Sequence, residues 1–172
     1  MELLIPGLIL VAIMAWASTR IKKNAAAAFV AETVETDEFV VEKPEGFLHV
    51  LNDGSGLAFR SYSKEFGTVG KKDIRQAKLE INIRRDTTIE EVRNEIAERS
   101  ESVESEQPYL DGGEKATVLM TKKTEDGAEF DVLTKLVTRG NNVYEARASV
   151  LSEYSESILS KLEEAIERLR IK

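Results

Sequence analysis

The chain has no cysteine and only one histidine among its 172 residues. The first absence excludes disulfides, thiolate nucleophiles, iron–sulfur clusters, thiolate zinc sites and a lipidated cysteine. The second leaves His49 without the partners that a zinc site, a Ser-His-Asp triad or a histidine relay needs. It stands between Leu48 and Val50 and reads as a partly buried strand residue. Positive charge is also scarce: 24 basic residues against 31 acidic give a net charge of −7. Three of those basic and five of those acidic residues precede Phe39, so the remainder carries about −5. Such a balance disfavours nucleic acid, whose binding rests on neutralising phosphates with Lys and Arg. It also keeps the domain off an anionic leaflet.

Several chemical motifs are missing too. Gly67-Thr68-Val69-Gly70-Lys71-Lys72 lacks the spacing of a phosphate loop. Asp111-Gly112-Gly113-Glu114 lacks the spaced oxygen ligands of a calcium loop. The carboxylates of Glu90/Glu91, Glu101/Glu104/Glu106 and Glu163/Glu164/Glu167 fall on expected solvated faces or loops rather than in acid–base pairs. Phe59, Tyr62 and Phe66 have no basic neighbourhood that would make a nucleic-acid platform. No catalytic, cofactor-binding or metal-ligating residue is therefore assigned. There is no internal repeat.

Residues 3–17, LLIPGLILVAIMAWA, carry no charge, and Arg20, Lys22 and Lys23 follow. A helix crossing the hydrocarbon core needs roughly 17–25 mostly apolar residues. Leu3 to Ile21 meets that need if Ser18 and Thr19 bond back to their own helix. A cleaved signal would carry its positive charge before the apolar run, whereas here Glu2 precedes it and the cations follow. Positive flanks stay in the cytoplasm, so a retained anchor with a cytoplasmic domain is expected. Trp16 would rest at the headgroup level near the basic end. The alternative cleaves after Ala15-Trp16-Ala17, or within the alanines at 25–28, and exports the domain.

Three regions follow: an anchor with its basic flank (1–23), an acidic linker or stalk (24–38), and a soluble domain (39–172). The domain has about 134 residues, the usual size of one fold unit. Strands are expected at 39–43, 47–51, 57–66, 76–85, 115–124, 128–138 and 143–151. Residues 76–85 alternate most cleanly, with Ala77, Leu79, Ile81 and Ile83 on one side. Glu125-Asp126-Gly127 is a strong hairpin signal. Thr88-Ile89-Glu90-Glu91 fits a capping box before a helix. A second helix, from Glu153 to about Arg170, would start at a Ser152 N-cap. Ala146 and Ala148 leave room for it to pack closely. Residues 100–114 read as a polar loop and, with nearby sheet edges, as the contact surface for a protein partner through Glu104, Tyr109 and Asp111. The expected class is α+β: an antiparallel sheet of about six or seven strands flanked by two amphipathic helices, preceded by one transmembrane helix.

Phe39-Val40-Val41-Glu42-Lys43-Pro44-Glu45-Gly46-Phe47 runs a strand into a proline turn and an aromatic. Asn142-Val143-Tyr144-Glu145-Ala146-Arg147-Ala148 and the helix after Tyr154 close the chain. Over about residues 39–171 this order resembles the PsbP/DcrB group of small α/β/α domains, which often has Trp where Phe47 stands. Members are typically exported accessory or assembly proteins without chemistry of their own. The resemblance thus implies a non-catalytic domain and transfers no binding residue. The anchor, whose charges favour the cytoplasmic side, departs from that pattern. The expected partners are the bilayer, through residues 3–21, and another protein. The alternative is a small-molecule-binding, lipid-binding or hydrolytic domain with a pocket between sheet and helix.

Overall fold

The computed structural model describes residues 13–20, 26–51, 54–69 and 72–172. Residues 13–20 are helical (α1), and Thr19 Oγ1 donates to the carbonyl of Ala15 at 2.8 Å, the back-bonding expected in an apolar helix. Among the described residues no helix is long and apolar enough to cross a membrane. Most of the expected span, residues 3–12 and 21, lies outside them.

Among the described residues twelve strands follow: β1 (Glu32–Glu35), β2 (Phe39–Lys43), β3 (Phe47–His49), β4 (Phe59–Ser63), β5 (Phe66–Val69), β6 (Lys72–Arg75), β7 (Ala77–Arg85), β8 (Ser102–Asp111), β9 (Glu114–Glu125), β10 (Ala128–Arg139), β11 (Asn142–Leu151) and β12 (Arg170–Ile171). Helix α2 (Ile89–Arg99) lies between β7 and β8, and α3 (Ser155–Glu167) between β11 and β12. The main sheet has seven strands in the order β3-β4-β7-β11-β10-β9-β8, every pair antiparallel. The β9–β10 turn carries Asp126 at φ 54° and Gly127 at φ 81°, the two left-handed residues that the Asp-Gly signal predicts.

Each sheet face has its own cover. Leu79, Ile81, Ala146, Ala148 and Leu133 pack against Leu162, Ala165, Ile166 and Leu169 of the α3 segment. The two alanines admit α3 close to the sheet, as their size suggests. On the opposite face Leu119, Leu136 and Val143 receive Ile89 and Val92 of α2. The capping box forms as expected: Thr88 Oγ1 accepts from the N–H of Glu91 at 3.2 Å, and Glu91 Oε2 accepts from the N–H of Thr88 at 3.0 Å.

Four expectations need correction. Residues 100–114 are mostly strand, not loop. β8 is the terminal strand of the main sheet, exposed along nearly its whole length, so it lacks the alternation that a half-buried strand would show. Pro108 is tolerated there because an edge strand can do without one N–H. Second, β2 belongs to a separate sheet, β1-β2-β12, and β1 lies inside the stretch 24–38 read as a linker. Third, residues 57–66 break at Lys64-Glu65 into β4 and a β5–β6 hairpin, the segment with the phosphate-loop-like composition. Fourth, Ser152 opens a 3-10 turn and accepts no capping bond; its hydroxyl donates to Asp131 Oδ1 at 3.1 Å. Helix α3 starts three residues later, without a side-chain cap.

Candidate functional site: a cleft between the edge strand and the last helix

β8 alternates its side chains across the sheet edge, so Gln107, Tyr109 and Asp111 share the α3 side. Together with Val118, Leu133, Lys135, Glu163, Ile166 and Glu167 they line an open cleft of about 400 Å³. Its floor is apolar and its rim is acidic. Lys135 sits in the middle of β10, a single cation in the run Val132-Leu133-Thr134-Lys135-Leu136-Val137. Its side chain is only 6% exposed, and Nζ lies 2.8 Å from Asp111 Oδ2. The Tyr109 ring centroid is 6.0 Å from the same nitrogen.

Burial alone would push the Lys135 pKa down, but Asp111 and Tyr109 more than offset it, so the value ends above the ordinary lysine range. Burial pushes the Tyr109 phenol up as well. Both groups stay protonated at neutral pH. A lysine that acts as a base or Schiff-base nucleophile needs the opposite shift. In this arrangement Lys135 pairs with Asp111 across the cleft. Among the described residues no three His, Asp or Glu side chains converge as a metal site would require.

Two grooves elsewhere on the domain are larger than this cleft. One of about 480 Å³ lies beside β1 and β2 and contains Lys43. That ammonium is consumed by main-chain carbonyls: it donates to Ala28 at 2.8 Å, Val30 at 2.6 Å and Phe47 at 2.9 Å. Another, of about 620 Å³, is lined by Val34, Thr36, Leu51, Leu57 and Phe59 among others. His49 contributes to it, its ring 4.8 Å from that of Phe59.

The structure thus brings Tyr109 and Asp111 together, with Lys135 between them. Glu104 does not line the cleft; it lies exposed in a bulge between Val103 and Ser105 and accepts from Ser102 Oγ at 2.6 Å. The Arg20 guanidinium lies 5.2 Å from the Trp16 ring centroid in α1, a cation–π contact at the basic end of the apolar run. Lys22 and Lys23 lie outside the described residues. Sequence reasoning missed Gln107, Lys135, Glu163 and Glu167. The isolated lysine inside an apolar strand was the one available signal, since such a cation must find a buried partner.

This arrangement defines a PsbP/DcrB-like fold. The chain is similar to the solution structure of the cyanobacterial PsbP protein (CyanoP) from Synechocystis, with a TM-score of 0.59, 11% identity, and coverage of 84% of this chain and 94% of that one. It is equally similar to LpqN of Mycobacterium tuberculosis, described as involved in cell envelope biogenesis, with a TM-score of 0.59, 11% identity, and coverage of 83% and 91%. At this identity the likeness concerns the fold alone. No protein family and no curated protein matches the sequence.

Proposed function

We propose that this chain is a membrane-tethered, non-catalytic accessory domain that docks a protein partner in the cleft between β8 and α3. The observation that carries the reading is the cleft itself: an apolar floor of Val118, Leu133 and Ile166 under an acidic rim of Asp111, Glu163 and Glu167. The single cation inside, Lys135, is already paired. Charge complementarity selects a partner segment that presents Lys or Arg beside aliphatic side chains. The neighbouring folds, one of them in a protein described as involved in cell envelope biogenesis, support an accessory role.

The tether is the apolar segment 3–21, with Arg20, Lys22 and Lys23 holding the domain on the cytoplasmic side and Trp16 at the interface. A cysteine introduced at exposed Glu129 of this cysteine-free chain should resist a membrane-impermeant thiol reagent in intact cells; labelling there would reverse the orientation.

Partner chemistry is tested by NMR titration with two short peptides, one alternating Lys and Leu and one alternating Glu and Leu. The basic peptide should shift the Leu133 and Ile166 methyl signals, and rising salt should weaken the effect. Equal response to both peptides, or none to either, contradicts the reading.

A further inference from the structure

The other face of the main sheet carries a second feature, independent of the cleft. Arg60, Glu80, Arg147 and Thr134 stand in register on adjacent strands β4, β7, β11 and β10. Arg147 Nη2 donates to Glu80 Oε2 at 2.6 Å, and Arg60 Nε lies 3.2 Å from Glu80 Oε1. One register step away, Glu145 Oε2 lies 3.5 Å from Arg84 Nε, while Arg84 Nη2 donates to Glu95 Oε2 of α2 at 2.6 Å. Arg99 closes the group from the last turn of α2, 3.5 Å from Glu95.

Arg84, Glu95, Arg99, Thr134, Glu145 and Arg147 line a recess of about 60 Å³, which adjoins another of about 160 Å³ through Arg84, Arg99, Glu145 and Arg147. Four cations, Arg84, Arg99, Arg147 and Lys123, line the smaller recess against two carboxylates, Glu95 and Glu145. Lys123 also pairs with Glu125 at 2.6 Å. This local excess of positive charge sits in a chain whose net charge is −7.

Two buried polar atoms lining the recess make no hydrogen bond among the described residues: Thr134 Oγ1, and Arg84 Nε, whose nearest acceptor is the Glu145 carboxylate at 3.5 Å. Thr134 is completely buried. A buried hydroxyl without a partner costs about 1–3 kcal/mol, and an arginine Nε, which can only donate, is held by Glu145 at longer than hydrogen-bond distance. Both groups are answered by one species, a small acceptor-rich anion. We propose that this recess binds a single oxyanion of the phosphate class, held by Arg84 and Thr134 inside and by Arg99 at the mouth.

The test uses the full chain and inorganic phosphate, with chloride at matched ionic strength as the control. Phosphate should raise the wild-type melting temperature and shift the Arg84 Nε–Hε resonance. Thr134→Val keeps the side-chain shape and removes an unpaired hydroxyl, so it should melt no lower than wild type in chloride yet lose most of the phosphate response. Arg99→Gln changes a largely exposed residue and should weaken phosphate binding about tenfold. A phosphate effect no larger than that of chloride, or one unchanged in both variants, overturns the assignment. Soluble short-chain phosphatidylglycerol distinguishes the sources: displacement of phosphate at the same resonance identifies a lipid headgroup, and no displacement identifies a free anion.

Discussion

Two lysines in this chain sit where lysines are rarely found, and each is explained by what its ammonium touches. Lys43 is 1% exposed and donates to three carbonyls, two of them in the 26–30 segment. It pins the stretch after the N-terminal apolar run onto the domain. Lys43→Met should lower unfolding stability by roughly 2–4 kcal/mol, the range for losing charge-assisted hydrogen bonds and leaving acceptors unpaired; urea denaturation measures it. His49 makes a separate test, being the only imidazole. Burial first, then Lys43, lowers its pKa, while Glu32 acts in the opposite sense. The unfolded chain therefore takes up a proton near pH 6.5 before the folded one does. The stability gained from a neutral His49 is present above that pH and is lost as pH falls through the folded value. His49→Gln should show a shallower loss of stability between about pH 7.5 and 5.5 than wild type. Parallel slopes in that window would refute the burial argument.

Elements were legible in the sequence in proportion to how half-buried they are. β7, buried on its α3 side, alternates clearly; the Asp-Gly turn and the Thr88 capping box are local chemistry and needed no tertiary information. β8 was not legible because an exposed edge strand buries too little to leave a pattern. β12 was hidden because only two residues pair, with Val40 and Phe39. The β5–β6 hairpin shows the limit of motif reading. Its Gly67 serves close approach rather than phosphate: a Cβ there would lie 2.5 Å from Leu151 Cδ1 and 2.8 Å from Tyr154 Cε2. Gly67→Ala should cost about 1–3 kcal/mol by forcing those side chains apart. A thermal melt unchanged from wild type would show that the hairpin does not pack as described.

At the scale of the whole molecule, the seven-stranded sheet separates two different surfaces. One carries the acid-rimmed cleft against α3, the other the arginine-rich recess beside α2. The cleft was half legible: Tyr109 and Asp111 come from the segment expected to meet a partner, whereas Lys135, Glu163 and Glu167 arrive from β10 and α3 through folding alone. The absence of cysteine makes the central claim directly testable. A photocrosslinker attached to Glu163→Cys, at the cleft rim, is compared in native membranes with the same reagent on Glu129→Cys, at the far end of β10. The account predicts one discrete protein adduct from position 163, suppressed by the basic Lys-Leu peptide, and none from position 129. No adduct from position 163, or the same adducts from both positions, would contradict partner docking in the cleft.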